Sequence, residues 1–125
     1  MAVQQENGLV AIVEDDDSMS LALSGLLKSV GLRATAFSSA EAYLESQRQY
    51  QTACLIADIR MPGISGLELQ ARLNAEHCSI PTIFITAHGD EALRMQALRA
   101  GAVEFLTKPL DETKLLECIW AALER

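Results

Sequence analysis

Leu9-Val10-Ala11-Ile12-Val13-Glu14-Asp15-Asp16-Asp17 decides the reading of this chain, because an unbroken apolar run ends abruptly in four acids. A short continuous apolar run is the mark of a strand buried on both faces, and the acids mark where it leaves the core. Other runs also stop on side chains with chemistry: Cys54–Ala57 at Asp58, Ile83–Ile85 at Thr86, and Val103–Thr107 at Lys108. If these are neighbouring strands of one parallel sheet, their carboxyl ends meet at the crevice where open α/β sheets place ligands. Carboxylates, a hydroxyl and an amine would then share one mouth.

Periodicity supplies the helices between the runs. From Glu14 to Gly31, residues Met19, Ala22, Leu23, Leu26, Leu27 and Val30 recur at helical spacing, and Gly31 stands at the stop. Arg33–Phe37 reads as a short strand. Ser38 with Glu41, and Ser65 with Glu68, have capping-box spacing and predict two helix starts. Asp90 opens a stretch with Leu93, Ala97 and Leu98 on one face and Gly101 past its end. A last helix is expected from near Asp111, with Leu115, Ile119 and Leu123, joined by Leu116 and Trp120, as its buried stripe. The polar stretch Glu45–Thr52 reads as an exposed connection. Strand and helix thus alternate five times. Crossovers of that length give parallel strands with helices on both faces, an α/β, right-handed, doubly wound (βα)5 sheet. Periodicity does not give the strand order.

Composition sets the scale. A chain of 125 residues is one domain with a single sizeable core. Although 50% of residues are hydrophobic, no apolar stretch approaches the roughly 20 residues of a membrane helix. Met1–Asn7 has neither a basic start nor an apolar segment, so no signal peptide is expected. Cys54, Cys78 and Cys118 form an odd set without metal-ligand spacing, which points to reduced thiols and a cytoplasmic protein with no membrane contact. A formal charge of −7 argues against direct attraction to nucleic acid.

The acids Glu14-Asp15-Asp16-Asp17 allow two readings. Aspartates cap helices and complement their positive amino ends, so the cluster is first a helix start. Asp58 adds the second reading, since it ends a separate run and precedes the turn-rich Arg60-Met61-Pro62-Gly63. Carboxylates converging from two strands repel, and a hard divalent cation relieves that repulsion. Mg2+, which takes oxygen ligands and keeps waters, suits a partial site that also admits phosphate; Mn2+ is an alternative. The expected ligands are Asp15 and Asp58, with Glu14 acting through water and a backbone carbonyl near Arg60 completing the set. Asp16 and Asp17 are assigned to capping.

Asp58 also suits a covalent role, because a carboxylate attacks phosphorus to form an acyl phosphate when metal and cationic groups offset charge on the transferring oxygens. Lys108 would supply the cation and the Thr86 hydroxyl a donor to a phosphoryl oxygen. Singly, Lys108 reads as a solvated loop residue before Pro109 and Thr86 as a turn residue. Their joint placement after successive strands favours the chemical reading. His77 lies in a polar stretch and is expected to be exposed, without metal-ligand partners.

With these residues assembled, the chain resembles the receiver domain of two-component response regulators, the CheY-like superfamily, from about Leu9 to its end. The motifs that carry the resemblance are Ile12-Val13-Glu14-Asp15-Asp16, Asp58-Ile59-Arg60-Met61-Pro62-Gly63, Thr86-Ala87-His88-Gly89-Asp90 and Lys108-Pro109. The resemblance implies a five-stranded parallel sheet in the order 2-1-3-4-5, Asp58 as phospho-acceptor, Glu14 and Asp15 as the acidic pair, Thr86 as the switch hydroxyl and Lys108 as the family's lysine. It also implies a cis Lys108–Pro109 peptide. Glu14 departs from the commonest pattern, since many relatives carry Asp there. The Arg60 loop and the Thr86–Asp90 segment most resemble FixJ-type receivers, which sit in front of a LuxR-type helix-turn-helix. The expectation is therefore one receiver domain over residues 1–125, folded from about residue 8, with no DNA-binding domain of its own: an excised part of a transcription regulator or a stand-alone receiver.

The implied partner is a histidine kinase, with Leu21, off the first helix's core stripe, as a candidate contact. Phosphorylation of Asp58 would draw Thr86 inward, and Phe105 would fill the space behind it. The implied output is a changed surface on the fourth helix, fifth strand and fifth helix, where Arg94 and Arg99 with Glu104, Asp111, Glu112 and Glu117 offer opposite charges for a symmetric homodimer. Arg60 and His88 would govern water access and the lifetime of the phosphorylated state. Such a domain catalyses only its own phosphorylation and slow autodephosphorylation, and reaches DNA only through an attached output domain. A haloacid-dehalogenase-type phosphatase would need an Asp-x-Asp pair after its first strand, which Glu14-Asp15-Asp16 lacks. A flavodoxin-like binder would need hydroxyls and amides in a first loop that is here acidic. An interaction module that has lost the switch would not retain all the site residues.

Overall fold

β1 (Leu9–Val13) is buried at every residue, and its side chains alternate between two cores. Ala11 and Val13 join one core, Val10 and Ile12 the other, as the two-residue period of a central strand requires. The computed structural model describes residues 8–87 and 90–124. After β1 come α1 (Asp17–Ser29), β2 (Arg33–Phe37), α2 (Ala40–Ser46), β3 (Thr52–Asp58), α3 (Gly66–Ala75), β4 (Thr82–Thr86), α4 (Glu91–Arg99), β5 (Glu104–Thr107) and α5 (Glu112–Leu123). The five strands are parallel in the order β2-β1-β3-β4-β5. Leu23 and Leu27 of α1 and Leu115, Ile119 and Ala122 of α5 fill one core. Tyr43 of α2, Leu69 and Leu73 of α3 and Ala97 of α4 fill the other. The chain runs from β1 to β2 on one side and returns past β1 to β3 on the other, which opens a crevice at the carboxyl ends of β1 and β3.

Register sets the depth of that crevice. Val13 lies beside both Phe37 and Ala57, Asp58 beside Ile85, and Thr86 beside Thr107. The strand ends are therefore nearly level, and each strand either ends on a polar side chain or is followed at once by one.

Several expectations need correction. In α1, Ala22 and Val30 are exposed. Val30 is the residue at which the helix ends, and Gly31 (φ +84°) then turns the chain so that Leu32 is buried in its place, its amide donating to the Leu27 carbonyl at 3.0 Å. Gly101 (φ +109°) ends α4 in the same way, with Ala102 N–H on the Ala97 carbonyl at 3.0 Å. Helix α2 is capped by Ser39, not Ser38; its hydroxyl accepts from Ala42 N–H at 3.0 Å. Glu41 is thereby one residue out of capping-box position and reaches elsewhere. The Ser65–Glu68 box forms as expected. Glu45–Thr52 is not simply an exposed connection: Arg48–Gln51 form a 3-10 turn, Gln49 is buried, and Thr52 begins β3. The buried Tyr43 ring organises it, since the phenol hydroxyl needs a partner and meets Thr52 Oγ1 at 2.7 Å.

Candidate functional site

Glu14 follows β1 and Asp58 ends β3, so the Val13–Ala57 pairing brings the two carboxylates side by side. The Glu14 amide donates to the Phe37 carbonyl at 3.0 Å, which continues the β1–β2 ladder one residue and keeps the side chain at the strand end. Lys108 arrives from beyond β5, its amide held on the Thr86 carbonyl at 2.8 Å. Its Nζ donates to Glu14 Oε1 at 3.2 Å and to Asp58 Oδ2 at 3.3 Å. The peptide after it, Lys108–Pro109, is cis. Glu14, Asp15 and Asp58 each offer a carboxylate oxygen, and these oxygens lie within 4.8 Å of one another.

The acidic run divides in two. Asp16 caps α1, its Oδ1 accepting from Met19 N–H at 3.1 Å, and Asp17 occupies the first turn. Glu14 and Asp15 turn instead toward Asp58.

The electrostatics are those of an overfilled acidic site. Glu14 is only 1% exposed, and burial, with the Asp58 charge adding to it, pushes its carboxyl up to about 7 against the pull of the Asp16 amide and Lys108. Burial alone would lower the Lys108 ammonium, but the Glu14 and Asp58 carboxylates outweigh it and hold the group above its ordinary value. One lysine does not balance three clustered carboxylates. An all-oxygen donor set open on its Asp15 side fits a hard divalent cation that retains waters.

The other expected residues lie around this cluster. Thr86 ends β4 one residue beyond the partner of Asp58 and is buried. Arg60 has an exposed side chain but stands against Asp58 through its main chain, its amide donating to Asp58 Oδ1 at 3.2 Å. Phe105 is level with Phe84 on the adjacent strand and 7% exposed, packed into the core with α4. His88 lies outside the described residues. Leu21 is 75% exposed and His77 is exposed, as expected. On the α4–β5–α5 side, Arg94 pairs with Glu91 of its own helix at 3.3 Å. Asp111 caps α5, and Glu104 accepts from Phe105 N–H at 3.1 Å. Arg99, Glu112 and Glu117 are exposed.

Sequence reasoning missed two residues. Gly66, which the sequence reading did not single out, lets α3 start against the backbone of Asp58. A methyl group there would overlap the Asp58 carbonyl oxygen, and the Gly66 amide donates to the Ile59 carbonyl at 2.9 Å. Glu41, read as a capping residue, instead accepts from Ile64 N–H at 3.1 Å. A second Gly close after Gly63 was the available signal for the first; nothing local signalled the second. Size is no guide to the site, since a cavity of about 650 Å3 opens at the opposite end of the sheet between Thr52, Asn74, Pro81 and Leu123.

Residues 10–120 match the family described as response regulator receiver domain. Nodulation protein W of Bradyrhizobium diazoefficiens is 46% identical over 117 residues, which cover 94% of this chain and 52% of that protein. The transcriptional regulatory protein FixJ of Azorhizobium caulinodans is 40% identical over 116 residues, 93% of this chain and 55% of that one. The crystal structure of FixJ-N is similar with a TM-score of 0.85 at 36% identity, covering 94% of each chain. The chain spans about half the length of the curated relatives it matches. None of the helices among the described residues is long and apolar enough to cross a membrane. Sheet order, the acidic cluster with its lysine and these likenesses agree: the chain belongs to the response regulator receiver domain family of two-component signalling.

Proposed function

We propose that this receiver takes a phosphoryl group from a histidine kinase onto Asp58 and uses it to change the α4–β5–α5 surface. The observation that carries the reading is Lys108 Nζ placed between Glu14 Oε1 and Asp58 Oδ2, at 3.2 and 3.3 Å, with Asp15 beside them. An Asp58 oxygen attacks phosphorus; the O–P bond forms as the N–P bond to the donor imidazole breaks, and the leaving imidazole takes a proton from water. Glu14, Asp15, Asp58 and the Arg60 carbonyl would hold Mg2+ or Mn2+, which supplies positive charge to the transferring oxygens. Lys108 exchanges Asp58 for a phosphoryl oxygen, and the Thr86 hydroxyl donates to another.

Movement of Thr86 toward the phosphoryl group links Asp58 to β4 and, across the Phe84–Phe105 pair, to β5. Phe105, level with Phe84 on the adjacent strand, is the aromatic that would fill the space Thr86 vacates. The output is a homodimer through α4–β5–α5 that serves an attached transcriptional output domain, a reading supported by the likeness to the transcriptional regulatory protein FixJ, of which the chain spans 55%. DNA is reached through that domain, in the cytoplasm. Arg60 and His88 set the lifetime of the acyl phosphate by limiting water. The domain is no enzyme toward other substrates; it catalyses its own phosphorylation and slow autodephosphorylation.

Intact-mass analysis after incubation with acetyl phosphate and Mg2+ tests this, beside Asp58→Asn and a chelator control. One hydroxylamine-labile phosphoryl adduct that needs both Asp58 and Mg2+ is expected. An adduct that survives Asp58→Asn refutes the assignment.

A further inference from the structure

Glu41 stands in the first turn of α2, away from the strands that carry the acidic cluster, yet its carboxylate reaches the loop that leaves Asp58. Oε2 accepts the Ile64 amide at 3.1 Å across 23 residues of chain. Oε1 is buried with no hydrogen-bond partner among the described residues, an uncommon state for a polar atom. The loop is shaped around it. Gly63 adopts φ +75°, and a methyl group on Gly63 would overlap the Glu41 carboxylate. No capping role accounts for this carboxylate, because Ser39 already caps α2.

The same loop carries the Arg60 main chain, which lies against Asp58. It is tied to β3 by Arg60 N–H on Asp58 Oδ1 at 3.2 Å, and its far end is drawn back to Ile59, just past the strand, by Gly66 N–H on the Ile59 carbonyl at 2.9 Å. Between those ties, Glu41 supplies an anchor from helix α2, on the same face of the sheet as α3. We propose that Glu41 is a positioning residue: by holding Ile64 it keeps the Arg60 main chain against Asp58, and so sets the affinity of the acidic site for Mg2+ and, through that, phosphoryl uptake. This rests on reading Asp58 as the acceptor.

The test compares wild type with Glu41→Met, which keeps the length of the side chain and removes the acceptor, with Glu41→Ala, and with Glu41→Gln, which keeps an oxygen for Ile64. Mg2+ binding is measured by calorimetry, phosphoryl uptake from acetyl phosphate by intact mass across a Mg2+ series, and folding by urea midpoint. Glu41→Met and Glu41→Ala are expected to bind Mg2+ about tenfold more weakly, the low end of the cost of losing a group behind a metal ligand. Their uptake at saturating Mg2+ should stay within about twofold of wild type, and Glu41→Gln should recover most of the affinity. Wild-type Mg2+ affinity in a folded Glu41→Met, with only its urea midpoint changed, overturns the proposal and leaves Glu41 a structural anchor. If wild type takes up no phosphoryl group, the acceptor reading fails, and the Mg2+ titrations still decide for or against Glu41.

Discussion

Lys108 Nζ donates to Glu14 Oε1 at 3.2 Å across 94 residues of chain. The contact joins the end of the first strand to the end of the last, and it lies over the carboxylate that ends the strand between them in the site, Asp58. Glu14 is thus a buried acid with one cationic partner and an acidic neighbour on the other side. Much of the behaviour expected of the site follows from that imbalance.

Removing the charge of Asp58 should separate chemistry from stability. Asp58→Asn is expected to abolish phosphoryl uptake while relieving the repulsion on Glu14. The metal-free variant should be more stable than wild type by roughly 1 kcal/mol, less than the bare Coulomb term because Lys108 loses a partner too. Urea denaturation in the presence of a chelator checks this, and a lower midpoint for the variant contradicts it.

Lys108→Ala leaves the carboxylates facing one another and takes the ammonium from the transferring oxygens. Uptake from acetyl phosphate should slow by about a hundredfold, the cost of losing one preorganised donor. Lys108→Arg should not restore the rate, because a planar guanidinium does not fit between the two strand ends as a compact ammonium does. Time courses by intact mass measure both.

The raised Glu14 carboxyl predicts how stability depends on pH. Its folded value of about 7 lies above the ordinary 4.5, so the folded chain holds this proton more tightly than the unfolded one. The contribution is fully present below about pH 4.5 and is lost as pH rises through about 7. Metal-free wild type should therefore lose stability relative to Glu14→Gln between pH 5 and 8, by a few kcal/mol at most. Parallel curves of urea midpoint against pH for the two proteins would sink the prediction.

Gly66→Ala should push α3 off the backbone of Asp58, since the added methyl group meets the Asp58 carbonyl oxygen. A loss of about 1–3 kcal/mol is expected, typical of overpacking, together with slower phosphoryl uptake. Thermal melts alongside the mass assay read the two effects.

Adjacent serines give an internal control on the helix starts. Ser39→Ala removes the hydroxyl that accepts Ala42 N–H and should cost about 1 kcal/mol. Ser38→Ala, at an exposed position, should change stability by less than about 0.5 kcal/mol. Equal urea midpoints for the two variants would contradict the assignment of the cap.

Much of the architecture was legible in the chain because its signals are short-ranged. The β2 span Arg33–Phe37, the Ser65–Glu68 box, the Asp90 and Asp111 caps and the stops at Gly31 and Gly101 each depend on residues within a turn or two of one another. The errors came where local rules left a tie. Ser38 and Ser39 each have residues suited to a cap behind them, and the helix starts after the second. Ala22 and Val30 satisfy the α1 period but lie at the edges of its buried stripe. Gln49 belongs to a polar stretch and is buried in the 3-10 turn between Tyr43 and its partner Thr52.

By itself the sequence determined where the strands lie to within about two residues, which functional side chain stands at the end of four of them, and that the sheet must be parallel with helices on both faces. Apolar runs, capping spacings and glycine stops act over a few residues, so they are written locally. Tertiary structure alone decided that Glu14, Asp58 and Lys108 touch, that Glu41 reaches Ile64, and that Gly66 lies against Asp58. Those distances depend on which strands pair and in what register. That choice is made by burying whole faces of the sheet against helices, a condition no short stretch of the chain can express.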